Sequence, residues 1–86
     1  MTTWNEYRQL PASLSQADTD LIDTLSFLQA SRIKQHISQK DLGKKIGMSQ
    51  SQIARLENLD VMPTLSTLQK YASGLGFTIS LSVVPV

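Results

Sequence analysis

The stretch from Ser38 to Asn58, SQKDLGKKIGMSQSQIARLEN, constrains the fold more than any other part of the chain. It holds two short amphipathic segments separated by Gly47. Ser38 is suited to cap the first segment, because its hydroxyl oxygen accepts a hydrogen bond from an unpaired N–H of the first helical turn. Leu42 and Ile46 stand four apart and therefore share one helix face. Gly47 marks the stop: helices often end on a residue with positive φ, which glycine adopts without a Cβ clash. Ser49 caps the second segment, and Ile53 and Leu56 supply its buried stripe. Gly43 costs a helix about 1 kcal/mol relative to alanine, so its presence predicts that the second helix crosses close by. These features describe a helix-turn-helix, with an ordinary αα-hairpin as the plain alternative.

This stretch and the adjoining PTLSTLQKYASGLG resemble the Cro and phage-repressor type of helix-turn-helix, the XRE family, from about Arg32 to Gly76. The resemblance implies an ion pair between Arg32, seven residues before Gln39, and Glu57, tying the first long helix to the end of the recognition helix. It implies base contacts at Gln50, Ser51 and Arg55, and phosphate contacts at Gln39 and Asn58. The chain departs from the family at Leu59, where a glycine is usual, and the shape of the loop over 59–63 stays open.

Charge is distributed in keeping with a polyanion partner. Residues 32–56 carry Arg32, Lys34, Lys40, Lys44, Lys45 and Arg55 against Asp41 alone, a net +5, whereas residues 1–31 carry −3 and residues 57–86 carry −1. Such one-signed clustering is the electrostatic footprint of nucleic-acid binding. The outward positions of the recognition helix are Gln50, Ser51, Gln52 and Arg55. Glutamine can pair with adenine N6 and N7 and arginine with guanine O6 and N7, each worth ~1–3 kcal/mol of discrimination. Lys40, Lys44, Lys45 and Ser49 are placed to join Gln39 and Asn58 on phosphates; simple solvation is the plain alternative for Lys44 and Lys45.

Elsewhere the pattern is mostly helical. Ser15 with Asp18 three residues on has the form of a capping box. Leu21, Leu25 and Leu28 come next at helical spacing, with Ile22 and Phe27 beside them, predicting a helix from about Gln16 to Gln35. His36 falls at a turn and, without acidic or cysteine neighbours, reads as a residue tolerating positive φ. Pro63 ends the variable loop, Thr64 caps, and Leu65, Leu68, Tyr71, Ala72 and Leu75 form a stripe closed by Gly74 and Gly76. Phe77, Ile79, Leu81 and Val83 then alternate with polar residues and Val84, predicting one strand. A lone strand leaves backbone groups unpaired, so these four residues are expected to pair with a second copy; folding back onto the chain's own helices is the alternative. Residues 1–14 show no period: Trp4, Tyr7 and Leu10 read either as an arm that docks on a partner or as a frayed terminus.

The expected architecture is therefore mostly α: a repressor-type bundle of about five helices with a helix-turn-helix, plus one C-terminal β-strand pairing across a dimer. The expected division is an arm at 1–14, a DNA-binding domain at 15–76 and a dimerisation strand at 77–86. With 41% hydrophobic and 17% charged residues, the 86-residue chain reads as one small globular domain. Without cysteine, and with a single histidine, no nucleophile–base pair or metal set is assembled, so no catalytic residue, metal or cofactor is expected. No apolar run suits a membrane, which makes the cytoplasm the expected location.

An N-terminal extension, one repressor-type domain and a C-terminal alternating segment resemble the antitoxins of bacterial toxin–antitoxin pairs, HigA-like or HipB-like. That resemblance implies a homodimer that represses its own operon at a palindromic operator. It further implies binding and neutralisation of a toxin, commonly a RelE-type mRNA nuclease. A phage-type repressor without a toxin, and an antitoxin module that does not bind DNA, are the competing readings.

Overall fold

The computed structural model describes residues 15–85. Among these residues lie four helices: α1 (Gln16–Lys34), α2 (Gln39–Ile46), α3 (Gln50–Glu57) and α4 (Leu65–Gly74). The helix-turn-helix is α2 and α3. The arm at 1–14, with Trp4, Tyr7 and Leu10, lies outside the described residues.

Each helix begins as its local sequence dictates. Ser15, Ser38, Ser49 and Thr64 all have extended backbones and accept a hydrogen bond from the N–H three residues on, satisfying one of the donors that every helix start leaves free. At Ser15 the box is reciprocal, with Asp18 Oδ2 accepting from the Ser15 N–H. The ends are equally local. Gly47 closes α2 at φ +73°, and His36 adopts φ +59° after α1, as its turn position predicts.

Leu59 is the departure from the usual glycine, and it nevertheless takes φ +60°. The chain thus keeps the left-handed turn after the recognition helix and carries a side chain there, at a cost of about 1–2 kcal/mol.

The core is built from one stripe of each helix: Leu25 and Leu28 from α1, Leu42 from α2, Ile53 and Leu56 from α3, and Leu68, Tyr71 and Ala72 from α4, with Leu75 just beyond. α4 packs on both α1 and α2, and α3 packs on α2 and α1. Close approach sets two glycines. A Cβ on Gly43 would collide with the Met48 carbonyl oxygen and lie 3.4 Å from Ile53 Cδ1. The crowding at Gly43 therefore comes first from the turn and only second from the crossing helix. A Cβ on Gly74 would stand 2.5 Å from Leu42 Cδ1 and 2.7 Å from Ile46 Cγ2, so Gly74 belongs to the α2–α4 contact, and Gly76, at φ +86°, makes the turn.

Two expectations are corrected. Four helices, not five, occupy the described residues, one for each of the four stripes that build the core. The expected C-terminal β-strand is absent from 77–85. A strand needs a ladder of backbone hydrogen bonds with a neighbour, and here the backbone finds other partners. The Phe77 N–H donates to the Ala72 carbonyl at 2.9 Å. The carboxamide of Gln69 on α4 takes both backbone groups of Ile79, donating to its carbonyl at 2.9 Å and accepting from its N–H at 3.3 Å. One side chain thus does for Ile79 what a neighbouring strand would do. Of the four residues expected on one strand face, Ile79 packs against the core, Phe77 meets Phe27 edge to face at 5.8 Å, and Leu81 and Val83 are exposed.

Candidate nucleic-acid interface

The recognition helix α3 is anchored from behind and free in front. Ile53 and Leu56 are buried, while Gln50, Ser51, Gln52 and Arg55 are exposed. Its start is fixed by a reciprocal box in which Ser49 Oγ accepts from the Gln52 N–H at 3.1 Å and Gln52 Oε1 accepts from the Ser49 N–H at 2.8 Å. The pattern S-x-x-Q at 49–52 carries that signal in the sequence; reading Gln52 only as an outward residue misses it. Ser49 is exposed but its oxygen is engaged in the cap. Gln50, Ser51 and Arg55 make no side-chain hydrogen bond among the described residues.

Lys40, Lys44 and Lys45 are exposed on α2 and Asn58 is exposed at the end of α3, so four of the expected phosphate contacts face solvent around the helix-turn-helix. Gln39 is different. It is half-buried, and its Nε2 donates to Glu57 Oε1 at 3.0 Å.

That bond belongs to a buried polar knot. Arg32 grips Glu57 with two parallel bonds, Nε to Oε2 at 2.9 Å and Nη2 to Oε1 at 3.0 Å. The Tyr71 hydroxyl donates to Oε2 at 2.5 Å. The side chains of Arg32 and Glu57 are only 11% and 2% exposed, a depth at which an unpaired charge is not tolerated. Here every lone-pair direction of the carboxylate meets a donor, and the remaining reach of Arg32 goes to the Ile37 carbonyl at 2.8 Å. The pair binds α1 to the end of α3, with α4 and the start of α2 joining through Tyr71 and Gln39.

The electrostatics have the same geometric origin. Burial alone would push the Glu57 carboxyl up, but the hydrogen bonds from Arg32, Tyr71 and Gln39, with the Arg32 charge, outweigh it and hold the carboxyl below its ordinary value. Burial pulls the Arg32 guanidinium down, and the bonds to Glu57 and Tyr71 more than offset it. Burial, then the carboxylate partner, raises the Tyr71 phenol well above its ordinary value, so it stays a donor. Tyr71 was visible in the sequence only as one member of an apolar stripe. A tyrosine among aliphatic residues is a signal in itself, because a buried hydroxyl needs a partner.

Among the described residues no helix is long and apolar enough to cross a membrane, and no group of three histidine, cysteine or acidic residues gathers as a metal site. What the surface offers is a rigid helix presenting amides, a hydroxyl and a guanidinium, flanked by lysines. That inventory suits base edges in a major groove and phosphates on either side.

Comparison with known proteins agrees. The helix-turn-helix family model matches residues 28–81, more than half of the chain. A chain in the solved structure of a toxin–antitoxin module from Streptococcus pneumoniae is 31% identical, with a TM-score of 0.62, over 100% of this chain and 94% of that one. No curated protein sequence matches at a significant level. The residues matched by the family model include the recognition helix and every member of the knot behind it, and the chain belongs to the XRE-type family of helix-turn-helix DNA-binding regulators.

Proposed function

We propose that this protein is the antitoxin of a bacterial toxin–antitoxin pair, acting in the cytoplasm, that represses its own operon and neutralises a toxin of the RelE-type mRNA nuclease class. The observation that carries the DNA half is the recognition helix, exposed at Gln50, Ser51 and Arg55 and held by a core that fixes its opposite face. The toxin half is supported by the likeness to a chain of a toxin–antitoxin module over the whole length. Gln50, Ser51 and Arg55 read bases. Lys40, Lys44, Lys45, Ser49 and Asn58 hold phosphates, with Gln39 beside them, and position the helix without reading sequence.

The operator is palindromic and the protein binds it as a homodimer, each recognition helix entering one half-site about 34 Å from the other. The apolar C-terminal segment supports this reading: Leu81, Val83 and Val84 are exposed, an arrangement that soluble proteins normally cover. Residues 1–14, with Trp4, Tyr7 and Leu10, serve the toxin contact.

The experiment is a promoter gel shift run with three variant proteins. Gln50→Ala is expected to weaken the cognate site by ~1–3 kcal/mol and relax one base position, and Lys44→Ala to weaken all sequences alike and lower the salt slope by about 1. Replacing the exposed Leu81 and Val83 with Asp should yield a monomer by light scattering with little operator affinity. Equal losses on specific and random DNA for Gln50→Ala would overturn the readout assignment. Full neutralisation of a neighbouring-gene toxin by a protein lacking residues 1–14 would remove that segment from the toxin contact.

A further inference from the structure

Two apolar surfaces of the described residues lie uncovered, and their shapes match. The first is a groove on the outer face of α1, where Phe27, Ala30, Ser31, Lys34 and Gln35 together with Phe77 enclose about 350 Å³. Phe27 is 60% exposed there, although its ring meets Phe77 edge to face. The second is the tail that follows Ile79, on which Leu81, Val83 and Val84 are all largely exposed. The tail does not fill the groove of its own chain. Gln69 ties both backbone groups of Ile79 to α4, and beyond that tie the three aliphatic side chains meet solvent while Phe27 stays open.

We propose that two copies of this chain exchange tails, Leu81 and Val83 of each lying in the Phe27–Phe77 groove of the other. The proposal rests on the homodimer reading above and names the surface that receives the tail. The spacing fits. In an extended segment Leu81 and Val83 point the same way, roughly 6.6–7 Å apart, and one turn of α1, from Phe27 to Ser31 or from Ala30 to Lys34, advances about 6 Å. The chemistry fits as well. Residues 71–86 carry no charged side chain, and the one charged residue of the groove, Lys34, is exposed at its rim, where its ammonium can donate to carbonyls of an extended tail. A second copy brings a matching tail and a matching groove together, and exchange about a two-fold axis covers both at once. Counting the open parts of the two phenylalanines and three aliphatic residues of each chain, the dimer buries on the order of 1,000 Å², the lower bound for a specific interface. Pairing the tails only with each other would leave both grooves open.

The chain has no cysteine, so introduced thiols link only where they are placed. Ala30→Cys in the groove and Val83→Cys on the tail, both at exposed positions, are made in two full-length proteins, one of them tagged, then mixed and oxidised with glutathione disulfide. A disulfide forms only where Cα atoms come within about 7 Å. The expected result is a covalent pair joining position 30 of one protein to position 83 of the other, with neither protein linked to itself. Phe27→Asp should keep the helix content of wild type and weaken dimerisation by roughly tenfold or more in sedimentation, as loss of a central aromatic anchor does. A Val83→Cys protein linked only to itself would place the tails against each other and overturn the proposal. So would a link from 30 to 83 within one chain of the double variant, a link from Ala30→Cys to Trp4→Cys, or dimers that show no 30-to-83 link at all. Dimerisation of unaltered strength in Phe27→Asp would overturn it too. A wild-type protein that sediments as a monomer, alone and on DNA of its own promoter, would instead refute the homodimer itself.

Discussion

The knot around Glu57 and the segment after Gly76 invert the usual placement of residue types. In the knot, an arginine and a glutamate are nearly sealed from solvent. In the C-terminal segment, Leu81 is 71% exposed and Val83 fully so. Polarity alone predicts the opposite in both places. The difference lies in partners. Glu57 receives donors from all three other helices within hydrogen-bond distance, so its charge is compensated where it sits. Leu81 and Val83 are not among the side chains packed on the core, and they remain outside. Burial follows satisfaction of the side chain, not its class.

The sharpest way to break this comparison is to remove one member of the knot. Glu57→Ala leaves the Arg32 guanidinium buried without its counter-charge and should cost about 3–5 kcal/mol, read as a drop in the urea midpoint at unchanged slope. The double replacement Arg32→Met with Glu57→Met should recover most of that loss, because a well-packed apolar pair avoids the desolvation cost. A single-mutant loss below ~1 kcal/mol would mean that the knot contributes nothing special.

Tyr71→Phe removes the bond donated to Glu57 and the longer one accepted from Arg32 Nε at 3.3 Å and leaves the core shape intact, for an expected loss of about 1.5–3 kcal/mol. It also makes a prediction in pH. Because the folded protein holds the Glu57 carboxyl below its ordinary value, its contribution is complete above the unfolded carboxylate range, near about pH 4.3. That contribution fades as pH falls through the lower folded value. With one donor gone the folded value rises, so in Tyr71→Phe the fade should be smaller and end at higher pH. Urea unfolding from acid to neutral pH checks this, and superimposable profiles for the two proteins would contradict it.

A smaller effect of opposite sign is expected at the edge of the knot. Leu59 holds φ +60° just beyond Glu57 in the chain. Leu59→Gly relieves a left-handed cost of ~1–2 kcal/mol and adds roughly half of that back as chain entropy. A net gain of up to about 1 kcal/mol in thermal unfolding is expected, and a loss would mean that the half-exposed leucine contributes packing that outweighs the strain.

The smallest global effect is expected at the other pole of the comparison. Gln69→Ala removes the bonds that hold Ile79 and should change overall stability by less than ~1 kcal/mol, while the Ile79 amide loses its protection from hydrogen exchange. A global loss above ~2 kcal/mol would place this segment in the cooperative core and erase the contrast with the knot.

Much of the fold was legible because its signals are local. A serine or threonine before each apolar run, an acid or amide three residues on in the first three helices, and glycine at the end of α2 define helix boundaries through bonds that span three or four residues. The outward side chains of α3 come from the same periodicity, since Ile53 and Leu56 must face the core. The Arg32–Glu57 pair was legible only through family resemblance, because nothing local joins positions 25 residues apart. The C-terminal segment was misread as a strand for a related reason. Alternation of apolar residues describes a chain prepared to pair, and pairing depends on a neighbour that the alternation does not contain.

The sequence by itself determined where the helices start and stop, which face of each is apolar, and which side chains of the recognition helix face outward. Those properties depend on residues within a turn of one another. Only the tertiary structure decided that Tyr71 and Gln39 converge on Glu57, that Gly43 accommodates a carbonyl of the turn, and that Gln69 stands in for a strand at Ile79. Each of these joins groups brought together by the packing of separate segments, and hydrogen bonds and steric contacts form only once that packing has fixed distances to within tenths of an ångström.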